Sequence, residues 1–178
     1  MKVAILGSGS WATALAKIIL SNVEEINWYI RKQETIDEFI ENRRNPNHLE
    51  WAYFDTTKIY FSTNINEVID LSDTIVLAIP SPYVKACLDE ISIDISHKKI
   101  ISAVKGMIPD ENILITDYLH NHYGIPEEQL GIIAGPCHAE EIALERLSYL
   151  TIGCTDINQA KTWSELFANK YVHITPSN

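Results

Sequence analysis

The feature that most constrains the fold of this chain is a regular alternation between short apolar runs and segments with helical periodicity. In segments such as QETIDEFIENRR and DINQAKTWSELFANK, apolar residues recur three or four positions apart. Runs such as IVLAI are apolar at every position, which is typical of strands buried on both faces. The strand-like runs are KVAIL, INWYI, KIYFST, TIVLAI, KIISAV, LGIIAG, LSYLTIG and YVHIT. The alternation predicts βαβ units and a doubly wound, mostly parallel sheet in a three-layer α/β/α arrangement.

Length and composition set the broad class of the protein. The 178 residues fit a single domain over residues 1–178, and 46% hydrophobic with 21% charged residues is ordinary for a globular chain. The formal net charge of −10 argues against nucleic acid or an anionic membrane as a partner, because both attract a broad basic face. Any anionic ligand must therefore be held by local donors.

The cysteines and the N-terminus indicate the compartment. Cys87, Cys137 and Cys154 are odd in number and contain no CxxC pair, so we expect neither a disulfide framework nor a metal site. The first apolar run is too short for a signal peptide, and no run approaches the roughly 18 residues of a membrane span. These observations predict a cytoplasmic protein without a membrane span.

The first strand-like run leads into a turn rich in small residues, Gly7-Ser8-Gly9-Ser10-Trp11-Ala12. In a Rossmann-type fold the first glycine makes the turn, the second lets the backbone approach a pyrophosphate, and the third position needs a small side chain. Gly7, Gly9 and Ala12 meet these demands, and the N–H groups from Ser10 onward would face the phosphates. A plain tight turn is the alternative, but the strand before it and the helix after it favour a dinucleotide site.

The end of the second strand-like run bears on which dinucleotide binds. An acidic residue there would bond the 2′-hydroxyl of NAD, whereas INWYI is followed by Arg31 and Lys32, two cations that suit a 2′-phosphate. The sequence thus predicts that NADP(H) is preferred. NAD(H) stays open because Glu34 follows closely, and a solvated Arg-Lys pair is the remaining alternative.

Four separated stretches together resemble one family. They are GSGSWATALA, RRNPNHL, AIPSPYV followed by SAVKGM, and AGPCHAEEIA. Their order and spacing resemble the N-terminal domain of bacterial NAD(P)-dependent glycerol-3-phosphate dehydrogenases over the whole chain. The resemblance implies hydride transfer between dihydroxyacetone phosphate and glycerol 3-phosphate, at the start of glycerophospholipid synthesis.

The resemblance assigns cofactor contacts to the first half of the chain. Ser10 and Trp11 match turn positions that touch the cofactor, and Arg31 with Lys32 matches the pair at the adenosine end. His48 belongs to RRNPNHLEWAYFDTT, which has neither helical nor strand periodicity and is predicted to be an irregular loop. The family usually has an aromatic residue where this chain has His48, so its role as a cofactor contact departs from the pattern.

The resemblance places the nicotinamide and the substrate near later strand ends. Tyr83, after Pro80, matches an aromatic that lies against the nicotinamide. Lys105 matches a lysine that meets both nicotinamide and substrate, where its ammonium would polarise the carbonyl as the catalytic group of this chain. Ala139 matches a cofactor contact, whereas Gly135 and Cys137 match substrate contacts.

Several of these residues have other interpretations. Lys105 could be an ordinary surface lysine, and Trp11 and Tyr83 could be core aromatics. Cys137 stands where the family has Ser or Thr, which replaces a strong hydroxyl donor with a weak S–H. His138 follows a Gly-Pro turn and is interpreted as structural.

The family also has a second, helical domain that carries a catalytic lysine in a Lys-Asn pair and an Arg-Asn pair for the substrate phosphate. Residues 1–178 contain no Lys-Asn pair, and their one Arg-Asn pair, Arg44-Asn45, lies within the RRNPNHL stretch. We therefore expect the chain to bind cofactor without turnover. A stand-alone NAD(P)-binding redox sensor is the alternative, and the resemblance leaves open whether the full-length protein is a homodimer.

Overall fold

The structure is a computed structural model that describes residues 1–109 and 111–178. The strands are β1 Val3–Leu6, β2 Ile26–Tyr29, β3 Ile59–Ser62, β4 Thr74–Leu77, β5 Lys99–Ser102, β6 Met107–Ile108, β7 Ile113–Leu114, β8 Leu130–Ala134, β9 Ser148–Cys154 and β10 Val172–Ser177. The helices are α1 Ser10–Ile19, α2 Gln33–Asn42, α3 Ile65–Asp70, α4 Ser81–Leu88, α5 Ile115–Tyr123, α6 Ala139–Ala143 and α7 Ile157–Phe167. None of the helices in the described part of the chain is both long enough and apolar enough to cross a membrane.

The main sheet has the strand order β10-β9-β8-β5-β4-β1-β2-β3. Strands β3, β2, β1, β4, β5 and β8 run parallel to one another, whereas β9 is antiparallel to β8 and β10 is parallel to β9. This confirms the predicted mostly parallel sheet. The chain crosses from β1 outward to β2 and later returns to place β4 on the other side of β1, so a crevice opens at the carboxyl ends of β1 and β4.

Helices cover both faces of this sheet. Val3 and Ile5 of β1 belong to a core with residues of α1, α2, α6 and α7, whereas Ala4 and Leu6 belong to a second core with residues of α3, α4 and α5. Successive strand residues point to opposite faces, which explains why β1 is buried at every position. The predicted three-layer α/β/α arrangement is confirmed.

Two local features differ from the sequence expectation. A small antiparallel hairpin of β6 and β7 follows β5. It includes Ile113 and Leu114 of the segment NILITDYLHNHY, whose apolar spacing predicts a helix. The helix α5 begins only at Ile115, with Leu114 as its N-cap in an extended conformation. The reason is that strand pairing with Met107 and Ile108 outweighs the local helical pattern at these positions.

Trp28 ties the second strand to the turn after the first. Its ring is fully buried and packs edge-on against Phe39 and Phe54 and stacked on Phe61. Its indole Nε1 donates a hydrogen bond to the Gly7 carbonyl at 2.7 Å. The aromatic core of this face therefore holds the glycine turn in place.

The hydrogen bond from Trp28 to the Gly7 carbonyl can be tested by substitution. In Trp28→Phe the Gly7 carbonyl loses its donor and the core loses volume, so the free energy of unfolding should fall by about 2–4 kcal/mol. Urea denaturation followed by circular dichroism measures it. Trp51→Phe is the matched control, because Trp51 is 48% exposed, and it should shift stability by less than about 0.5 kcal/mol. Equal stability of the two variants would contradict the role given to Trp28.

Candidate functional site

Gly7 is required by the fold itself. Its φ is +118°, and a Cβ at this position would overlap the Ala78 carbonyl oxygen just beyond β4. Its N–H donates to the Tyr29 carbonyl at 3.3 Å. Gly7 thus lets β1, β2 and β4 converge at the switch point of the sheet.

Gly9 differs from Gly7, because its surroundings are open. It is the N-cap of α1 with an extended backbone, φ −75° and ψ 179°, and a Cβ there would meet no atom of the described chain within 4 Å. The first turn of α1, Ser10-Trp11-Ala12-Thr13, carries no acidic side chain. The free N–H groups at this helix start face open space, which is the arrangement that binds an anion.

Asn45 is a key residue of the site that sequence reasoning missed. Its side chain is fully buried, and its Nδ2 donates to the Ser8 carbonyl at 2.9 Å and to Thr13 Oγ1 at 2.8 Å. Its Oδ1 accepts from the Asn47 N–H at 3.0 Å. Asn45 therefore fastens the long loop after α2 to the glycine turn. The Asn-Pro dipeptide indicates an irregular loop but not this contact with a distant part of the chain.

That loop brings His48 to the start of α1. Its Nδ1 lies 3.1 Å from Ser10 Oγ, within hydrogen-bond distance. His48 also lines the cleft above the turn. The structure thus brings Ser10 and His48 together, and their contact with a cofactor stays a prediction.

Two adjoining cavities flank the glycine turn. One, of about 460 Å³, is lined by Gly9, Tyr29, Arg31, His48, Tyr83 and Glu90, among others. The other, of about 360 Å³, extends from Gly9 past Trp11 to Lys105. They share Gly9, Ile79 and Pro80, so together they form one groove along the carboxyl ends of the strands.

A separate cavity of about 400 Å³ lies near the C-terminal end of α1 and includes Lys17, Lys58 and Lys170. A helix C-terminus presents carbonyl oxygens and the negative end of the dipole, which disfavours an anion. The groove at the glycine turn combines a helix N-terminus with the switch point of the sheet. It is therefore the candidate functional site.

The far end of the groove holds Lys105 and Trp11. The Lys105 ammonium lies 5.3 Å from the centre of the Trp11 ring, within the range of a cation–π interaction. Trp11 is half-buried and packs against the core, so it serves as a platform that locates this lysine. Tyr83 lines the cavity on the Arg31 side instead, and it is 64% exposed at the start of α4, which contradicts the alternative that it is a core aromatic.

At the other end, Arg31 lines the cleft, whereas Lys32, the N-cap of α2, is not among the described lining residues, and both side chains are exposed. Burial raises the pKa of the Tyr29 phenol above its ordinary value, and it raises the pKa of the Cys87 thiol to about 12. Both groups are therefore neutral at pH 7. Charge in this part of the cleft comes from Arg31 and Glu90.

The segment from Gly135 to Ala139 is fastened to β9. A Cβ at Gly135 would lie 2.6 Å from the Tyr149 carbonyl oxygen. The Cys137 thiol donates to that same oxygen and accepts from the Tyr149 N–H, each at 3.2 Å. Because both hydrogen bonds of the thiol are used within the protein, any substrate contact from this segment would have to come from its backbone. The predicted roles of Gly135, Cys137 and Ala139 stay predictions.

His138 is the N-cap of α6. Its N–H donates to Glu141 at 2.9 Å, in keeping with a structural role.

Comparison with known proteins points to one family. Residues 2–160 match the family described as NAD-dependent glycerol-3-phosphate dehydrogenase N-terminus. The chain is 28% identical over 176 residues to a glycerol-3-phosphate dehydrogenase (NAD(P)+) of Staphylococcus carnosus, covering 97% of this chain and 52% of that relative.

Solved structures agree with this match. A Plasmodium falciparum glycerol-3-phosphate dehydrogenase superposes with a TM-score of 0.87 at 28% identity, over 99% of this chain and 52% of that one. A Coxiella burnetii glycerol-3-phosphate dehydrogenase, 19% identical, shares the fold with a TM-score of 0.85 over 98% of this chain and 53% of that one. The chain spans about half the length of the curated relatives that it matches. The resemblance carried by the four sequence stretches is thus confirmed, and the chain belongs to the family of NAD-dependent glycerol-3-phosphate dehydrogenase N-terminal domains.

Proposed function

We propose that this chain is the NADP(H)-preferring cofactor-binding half of a cytoplasmic glycerol-3-phosphate dehydrogenase. The whole enzyme would interconvert dihydroxyacetone phosphate and sn-glycerol 3-phosphate by hydride transfer, in glycerophospholipid synthesis. The observation that carries the proposal is the single groove that joins the glycine turn, Arg31 and Lys105 at the carboxyl ends of the strands. Family membership over residues 2–160 supports the same reaction class.

The groove fits a dinucleotide. Gly9 leaves open the space over the first turn of α1, where its N–H groups would hold a pyrophosphate. Arg31 would face the ribose at the adenosine end, because it follows β2, the strand whose end meets that ribose in dinucleotide folds. Trp11 lies on the other side of the turn, where the nicotinamide would lie, whereas Tyr83 lines the same cavity as Arg31. When bound, the nicotinamide supplies the hydride chemistry.

Lys105 is the catalytic group that we assign to this chain. Its ammonium lies above Trp11 at the far end of the groove and would neutralise negative charge that develops on the substrate carbonyl oxygen. The Trp11 ring holds the ammonium toward the groove through the cation–π contact. The backbone around Gly135 would border the substrate on the adjacent strand end.

The two glycines of the turn provide a paired test. Gly9→Ala should lower the free energy of unfolding by no more than about 1 kcal/mol, the cost of a poorer N-cap. It should nevertheless weaken NADPH binding at least about tenfold, because the added methyl occupies the phosphate space. Urea denaturation and titration by nicotinamide fluorescence measure the two effects.

Gly7→Ala is the matched variant, and it should lower the free energy of unfolding by about 2–4 kcal/mol through overlap and strain. Unimpaired NADPH binding by a folded Gly9→Ala protein would contradict the phosphate site.

Arg31 tests the cofactor preference. NADPH should bind more tightly than NADH, and Arg31→Ala should weaken NADPH about tenfold by removing a charge-assisted hydrogen bond, with NADH little changed. The control is Arg44→Ala, since Arg44 lies on the outer loop against Tyr53. Tighter binding of NADH than NADPH by the unaltered chain would refute the assignment.

A turnover assay tests whether residues 1–178 catalyse the reaction without the second half of the proposed enzyme. We expect residues 1–178 to bind NADPH but not to oxidise it in the presence of dihydroxyacetone phosphate, because they contain no Lys-Asn pair to supply the catalytic lysine. The decrease of nicotinamide absorbance with and without substrate measures the rate. A rate that depends on substrate and protein concentration would show that the proposal misplaces the catalytic machinery.

A further inference from the structure

Glu90 is an acidic residue in the adenosine end of the groove that the proposed function does not use. It lies two residues beyond α4 and lines the same cleft as Arg31. Its Oε2 accepts a hydrogen bond from the Tyr29 hydroxyl at 3.2 Å. Its backbone carbonyl accepts from Asn66 Nδ2 at 3.0 Å, and its N–H donates to the Cys87 carbonyl at 3.3 Å. Both the main chain and the side chain of Glu90 are therefore held in place.

The carboxylate and the Arg31 guanidinium act on the same groups from within one cleft. Burial raises the pKa of both the Tyr29 phenol and the Cys87 thiol, the Glu90 carboxylate raises both further, and Arg31 lowers both. Within the described residues, Arg31 and Glu90 make no direct ion pair. The negative charge of Glu90 is thus not neutralised by a direct ion pair with Arg31, and it can act on a ligand.

An anion in this cleft meets both charges at short range, because Arg31 and Glu90, although exposed, line the same cavity. A 2′-phosphate at the adenosine ribose would be attracted by Arg31 and repelled by Glu90. A ribose hydroxyl carries no charge and would escape that repulsion. Glu34, the acidic residue close to Arg31 in sequence, lies in the first turn of α2 and is not among the described residues that line this cleft.

We propose that Glu90 is a specificity residue that restrains the preference for NADP(H), because its carboxylate opposes the 2′-phosphate that Arg31 attracts. This inference rests on the proposed function, since it concerns the same groove. The anchoring by Tyr29 matters because it prevents the carboxylate from turning away from an incoming phosphate. The resulting cofactor preference is the difference between two opposing charges.

The test compares the affinities of the chain for NADPH and NADH in Glu90→Gln. The amide keeps the shape of the side chain and an oxygen that can accept from the Tyr29 hydroxyl, so only the charge is removed. NADPH should bind about threefold to tenfold more tightly, while NADH changes by less than about twofold. The gain should shrink as salt is raised, because ions screen the interaction. Glu90→Ala should shift the affinity ratio in the same direction.

Asp89→Asn is the matched control. Asp89 is the neighbouring carboxylate at the C-cap of α4, and it acts electrostatically on Lys85 and Tyr118 instead of on Tyr29 and Cys87. Asp89→Asn removes one negative charge, as Glu90→Gln does, but it should leave the ratio of the NADPH and NADH affinities unchanged.

The outcomes separate this inference from the proposed function. Normal binding by the unaltered chain with an unchanged ratio in Glu90→Gln would overturn the inference alone. Weaker NADPH binding by Glu90→Gln would also overturn the inference alone, because Glu90 would then assist phosphate binding by orienting Arg31. Failure of the unaltered chain to bind either dinucleotide would overturn the proposed function and the inference together.

Discussion

The close approach of Gly7 to the backbone at Ala78 is the constraint on which the rest of the site depends. It brings the ends of β1 and β4 together where the strand order changes direction, and a side chain at this position would overlap the Ala78 carbonyl. The Trp28 indole completes the support by donating to the Gly7 carbonyl from the aromatic core. Because the turn is fixed from both sides, α1 starts with its N–H groups directed at the crevice instead of into the protein.

The long loop after α2 gains its order from the same turn. Asn45 joins it to Ser8 and Thr13, and Leu49 and Phe54 add apolar anchors in the core beneath α1. A loop of this length without a helix or strand would be costly to order without such anchors. The loop thus becomes a wall of the groove, and His48 reaches Ser10 only because Asn45 has already fixed the backbone three residues earlier.

The sequence predicted the features that are local along the chain. Each main strand and the glycine turn are marked by their own residues, and Gly7, Arg31 and Lys105 follow strand ends, which is why a parallel sheet brings them to one edge. Features that arise from distant pairs were missed. Asn45 meets Thr13 across 32 positions and Glu90 meets Tyr29 across 61, so no spacing rule finds either. The hairpin of β6 and β7 was missed because strands of two residues carry no periodicity.

The charge of the whole chain and the charge of the groove have different consequences. With a formal net charge of −10, the protein as a whole repels an anionic dinucleotide, so long-range attraction does not favour its approach. Affinity for the proposed cofactor would have to come from short-range groups that line the groove, namely the start of α1 and the Arg31 guanidinium. The Glu90 carboxylate would weigh against a bound phosphate, because the negative net charge of the chain adds no compensating positive potential. The Tyr29 hydroxyl holds Glu90 at the wall of the cleft. The packing of β2 therefore fixes the position of the negative charge that a ribose phosphate would meet beside Arg31.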